Sequence, residues 1–207
     1  MLVSDKTEID SAATKIMHPS CRSLFRYWES LRAERPCPRK DEVDLRQIVE
    51  IVPFLSIIEH IDGSKPWRFR LAGTKLCEIF GREMTGLDAL AGWDNFERNV
   101  IGNCLDISKD RLQPSLIRMR FISEHNDVIA AEMIGLPVQN GKHAPVEIFG
   151  GIFPFIENNP KPTFVYHKRE LVSARMIWTE HGMGDQLLEN VGRKAPLQLK
   201  VIQGGLR

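Results

Sequence analysis

Residues 67–86 read WRFRLAGTKLCEIFGREMTG, and two periodicities meet inside them. Trp67, Phe69 and Leu71 alternate with Arg68 and Arg70, which predicts a strand with one apolar and one charged face. Gly73-Thr74 breaks that strand and opens a short helix over 75–80, which Gly81 ends. Just upstream, residues 55–61 are rich in β-branched side chains and predict a partner strand. Asp62-Gly63-Ser64-Lys65-Pro66 supplies the turn between the two. A hairpin leading at once into a helix is therefore the centre of the chain.

Working outward, Asp94 and Glu97 have the spacing of a capping box. Behind them Phe96, Val100, Ile101, Cys104, Leu105 and Ser108 trace one face of a helix over 94–110, and Pro114 marks its exit. Three strands are predicted next, over 115–123, 128–138 and 146–155, joined by polar turns. Towards the N-terminus, Leu24, Tyr27, Trp28 and Leu31 form an amphipathic stripe over 23–33, closed by Pro36 and Pro38. Asp44 caps a further short helix to Val52, closed by Pro53. In the tail, residues 168–178 are expected to form one helix. The sum is an α+β fold: a five-stranded antiparallel sheet with helices on one face, an N-terminal amphipathic helix and a C-terminal extension. Expected boundaries are a mobile arm over 1–20, a domain over 21–157 and an extension over 158–207.

Composition narrows the role. The 207 residues carry 28 Lys plus Arg against 27 Asp plus Glu, a net charge of +1, which argues against nucleic-acid binding by bulk charge. The tail from Lys161 is net +4, leaving −3 for the rest, a modest asymmetry that reads as solvated surface. The first twenty residues lack the apolar core of a signal peptide, and no apolar run is long enough to cross a bilayer. A cytoplasmic chain without membrane insertion is expected.

The search for chemistry yields few candidates. Cys21, Cys37, Cys77 and Cys104 form no C-x-x-C pair, and the six histidines show no helical metal-ligand spacing. There is no G-x-S-x-G, H-E-x-x-H or P-loop. Cys77 and Cys104 fall on apolar helix stripes, where a thiol behaves as a small hydrophobe. Gly150-Gly151 inside a strand suggests close backbone approach rather than a phosphate loop. Glu132 interrupts an apolar strand. It either faces solvent, joins a buried ion pair or serves a ligand. In the last case it becomes the base of a small isomerase or dehydratase, the alternative reading.

The element order, together with Trp67 to Gly86, resembles the PAS fold. More narrowly, Tyr27-Trp28, the Pro36 and Pro38 link, Arg70-Leu71-Ala72-Gly73-Thr74, Gly81-Arg82-Glu83, Glu132 and Leu136-Pro137 are similar to a single-PAS subfamily common in alphaproteobacteria. The resemblance covers about residues 23–155 and implies a non-catalytic sensory module with a cleft between sheet and helices. Haem and photoactive flavin are not implied. No histidine lies between Ile61 and Glu124, and no Asn-Cys-Arg phrase occurs. No kinase, cyclase or DNA-binding effector motif is recognised. Phe80, Trp93, Cys104, Met119, Phe121, Met133, Phe149 and Phe153 are the candidates to line the cleft, as core or as the wall of a small-metabolite site. The helix bearing Leu24, Tyr27, Trp28 and Leu31 is the expected homodimer element, with an unknown signalling protein as further partner. No cofactor is expected.

Overall fold

The computed structural model describes residues 15–63, 66–155 and 166–179. Helix α1 (Pro19–Arg32) is followed by two 3-10 segments, Lys40–Glu42 and Leu45–Phe54. Strands β1 (Leu55–His60) and β2 (Trp67–Ala72) lead into helices α2 (Thr74–Phe80) and α3 (Asn95–Arg111). Strands β3 (Ser115–Ser123), β4 (Val128–Gln139), β5 (Val146–Pro154) and β6 (Tyr166–Met176) complete the described chain. The sheet runs β2-β1-β5-β4-β3-β6, and every neighbouring pair is antiparallel. The five expected strands are present, and a sixth extends the sheet.

Local chemistry fixes the element ends. Asp94 accepts from the Glu97 amide at 2.8 Å while the Glu97 carboxylate accepts from the Asp94 amide at 3.3 Å, the reciprocal cap read from the spacing. At α1, the His18 imidazole accepts from the Ser20 amide at 3.1 Å, and Pro19 occupies the first turn, where its missing N–H costs nothing. Gly150 lets β5 lie close to β4, since a Cβ there would stand 1.9 Å from the Ile134 carbonyl oxygen.

Both faces of the sheet are buried. On the inner face Ile58, Trp67, Phe69, Ile117, Met119, Phe121, Met133 and Ile152 pack against Leu76 and Ile79 of α2 and Ile101 and Leu105 of α3. On the outer face Leu116, Ile134, Leu136, Val138, Phe149 and Phe153 pack under Cys21, Leu24, Phe25 and Trp28 of α1. The Trp28 indole N–H donates to the Pro137 carbonyl at 2.8 Å, which pins α1 to β4.

Several expectations are corrected by this layering. Phe149 and Phe153 were expected in the cleft, but the period of two along β5 points them to the opposite face from Ile148 and Ile152. Leu24, Tyr27 and Trp28, expected to present a dimer contact, are buried against this chain's own sheet, with Leu31 partly buried beside them. The apolar outer face needs a cover, and α1 supplies it. Leu71 does not share a face with Trp67 and Phe69. Ile58 opposes Phe69 while Ile57 opposes Leu71, so Arg70 is an extra residue. That bulge turns Leu71 outward, where it is 46% exposed.

The tail segment expected as a helix over 168–178 is strand β6. Its Lys, Arg, Glu and Leu content suits a helix, but the open edge of β3 offers a nine-residue pairing register that tertiary structure prefers. The extension thus contributes to the domain's sheet. Residues 15–20, which the expected arm includes, are held, and the expectation for 1–14 lies outside the described residues.

Glu132 does the holding. Its carboxylate, 0% exposed, accepts from the Met17 and His18 amides at 3.2 and 2.7 Å and from the Arg118 guanidinium at 3.0 Å. It is the buried ion pair among the three readings. Replacing Glu132 with Ala strands Arg118 and two amides. We expect a loss of about 3 kcal/mol in urea unfolding. Faster amide exchange should appear first at Met17 and His18.

Candidate ligand-binding cleft

The inner sheet face, helix α3 and the loop carrying Ala89, Leu90 and Trp93 enclose a cleft whose walls include Phe69, Trp93, Met119, Met133, Ile152 and Arg169. The free space is about 10 Å³, close to the least that holds one water. Apolar side chains, not solvent, occupy the rest.

Three expected residues, Trp93, Met119 and Met133, line this space. Phe80 and Phe121 belong to the same packed layer and meet edge to face at 5.4 Å. Cys104 is buried on α3 but is not part of the wall, and burial pushes its thiol pKa up. Phe149 and Phe153 lie across the sheet.

Arg169 is the wall residue that the sequence reading missed. In β6 it pairs with Phe121 of β3, and that register turns its side chain toward the helices. It is 8% exposed, and its guanidinium carbon sits 5.0 Å from both the Phe80 and the Trp93 ring centres. Burial first, and then the like charge of Arg82, pull its pKa down to about 10, against the opposing pull of Asp88 and Glu97. It remains a cation at neutral pH. The signal was absent because Arg169 lies in a segment expected as a helix, and only strand pairing aims it inward.

Glu132 does not reach this cleft. It lies on the outer face with its oxygens occupied by Met17, His18 and Arg118, so it meets no open cavity in which to act as a base. His18 stands beside it, but its ring caps α1 and contacts the Pro154 carbonyl at 3.3 Å. The thiols of Cys21, Cys37 and Cys77 are also pushed up by burial, Cys37 to about 11, which disfavours the reactive thiolate. Among the described residues no group of three or more His, Cys, Asp or Glu side chains is placed to hold a metal ion. Nor is any described helix long and apolar enough to cross a membrane.

A family profile described as PAS domain matches residues 16–153. The chain belongs to the PAS domain family. No curated protein matches it. Among solved structures it is similar to a Rhodobacter sphaeroides LOV protein, at 12% identity and TM-score 0.39, over 56% of this chain and 71% of that one. It is also similar to a single-site variant titled RsLOV, at 15% identity and TM-score 0.39, over 57% of this chain and 73% of that one. Within this PAS domain, the matched span contains α1 and strands β1 to β4 and all of β5 but its last residue, Pro154. Strand β6, and with it Arg169, lies beyond the span.

His18 gives the PAS domain a pH-dependent anchor. Burial holds its imidazole below the ordinary 6.5, and the Pro154 carbonyl and Glu132 oppose that only partly. The unfolded chain therefore takes up this proton at higher pH than the folded one. The His18 contribution is full above pH 6.5 and is lost as pH falls from there toward the lower folded value. The melting temperature is expected to hold above about pH 6.5 and to fall as the pH drops below it. His18→Asn keeps a capping oxygen and should flatten that slope; an unchanged slope refutes the assignment.

Proposed function

We propose that this PAS domain is a non-catalytic regulatory module of the cytoplasm, acting through homodimerisation and contact with a signalling protein, with a small molecule in the cleft biasing those contacts. The observation that carries the reading is the buried guanidinium of Arg169. It brings a cation into an apolar cleft from a strand outside the family-matched span. A change in the cleft is thereby connected to strand β6, which lies outside the family-matched span. A ligand acts in this way only if it binds two conformations with different affinity. The packed cleft supplies one such conformation, and an opened one must be the other.

Because α1 is committed to the sheet, the dimer contact falls on other apolar side chains. Val49, Phe96 and Val172 are exposed by 66%, 74% and 54% and are available for it. Two measurements test the reading. Sedimentation of the full chain across concentration should show a dimer, and its dissociation constant should shift when a cleft ligand is added. Native mass spectrometry of protein purified from its own host should show a bound small molecule. A strict monomer with no bound mass in either preparation refutes it.

A further inference from the structure

Arg169 presents a problem that its own chain leaves unsolved. A guanidinium carries five N–H donors and no acceptor, and arginine is rarely buried without a paired acid. Here two aromatic faces offset part of the desolvation. Yet among the described residues no acceptor stands within hydrogen-bonding or ion-pairing distance of the Arg169 side chain. The two acids that pull on it are committed elsewhere. Asp88 holds Arg98 at 2.8 Å and accepts the Leu90 amide at 2.9 Å. Glu97 accepts the Asp94 and Leu171 amides at 3.3 and 2.7 Å. Arg82 adds a second positive charge nearby and makes no ion pair among the described residues. The backbone also makes room for the charge. A Cβ at position 92 would stand 2.7 Å from Arg169 Nη2, and Gly92 has φ +81°, a conformation other residues rarely adopt.

We propose that the cleft is a carboxylate site, in which the Arg169 fork receives the carboxylate of a small acid whose apolar body takes the place of the Met119 and Met133 side chains. The proposal rests on the reading of the cleft as the regulatory site. The planar guanidinium matches a carboxylate through two parallel hydrogen bonds, a geometry that an ammonium or a neutral amide does not offer. The remaining walls are apolar, which excludes strongly polar polyacids. Methionine has three flexible bonds, so Met119 and Met133 can yield space where branched side chains would resist. With only about 10 Å³ free, an acid enters by opening the cleft, and opening it moves the strand that carries Arg169.

The test is calorimetric titration of the full chain with benzoate and hexanoate, their neutral counterparts benzamide and hexanamide, and inorganic phosphate. The acids are expected to bind at least roughly tenfold more tightly than the matched amides, and Arg169→Gln should abolish that preference. Arg82→Gln, an exposed change that leaves the fold intact, should weaken the acids alone, which keeps the test decisive if Arg169→Gln misfolds. Equal binding of acids and amides overturns the carboxylate site while leaving the cleft a ligand site. Preference for phosphate over both acids also overturns it. If no probe binds although host-purified protein carries a bound mass, the carboxylate assignment fails and the regulatory reading stands. If neither is found, both fail.

Discussion

Eight consecutive buried residues, Ala131 to Val138 in β4, impose the condition that shapes this molecule. Successive side chains of a strand point to opposite faces, so such a run needs cover on both sides. An antiparallel sheet commonly leaves one face to water, and β4 forbids that here. Helices α2 and α3 cover one face, and α1 covers the other with Leu24, Phe25 and Trp28. The N-terminal helix is thus part of the domain's core rather than a free flanking element. The family-matched span beginning at residue 16 agrees with that physical boundary.

The same run contains Glu132, and its burial demands donors. The chain meets the demand with Arg118 across the strand and with two amides from the segment ahead of α1. Arg118 in turn donates to the Lys15 carbonyl at 2.9 Å, and Arg175 of β6 donates to the same oxygen. Both segments that flank the family-matched strands are therefore tied to one point on the outer face. Each bond alone contributes on the order of 1 kcal/mol. Their value lies in shared partners, since loosening β6 removes a donor from the carbonyl that also holds the N-terminal strap.

Much of this was legible in the sequence, because local chemistry decides it. The Asp94–Glu97 cap, the alternation of Ile117, Met119 and Phe121, and the break at Gly73 each follow from a few neighbouring residues. What escaped depends on partners far along the chain. The bulge at Arg70 is a matter of register, and it reversed Leu71. The face of Phe149 and Phe153 required knowing that both faces are covered. Strand β6 looked helical because Lys, Arg, Glu and Leu favour helices in isolation, whereas the free edge of β3 rewards extension. Missing β6 meant missing Arg169, whose place in the cleft exists only through its pairing opposite Phe121.

A nearly closed cleft is compatible with sensing, and physical reasons favour it. A preformed large cavity in an apolar core forfeits dispersion contacts and destabilises the empty domain. Closing on Trp93, Met119 and Met133 avoids that cost, but it leaves Arg169 largely buried against two rings without an acceptor from its own described residues. The closed state is then well packed in its apolar part and poorly matched in its one charge. A ligand that satisfies the charge gains most where the closed state is weakest, which is the differential affinity that a population shift requires. A neutral ligand of the same shape has to open the same packing without that gain. In the proposed site, selectivity for charge and the ability to switch would therefore have a common origin in one unpaired guanidinium.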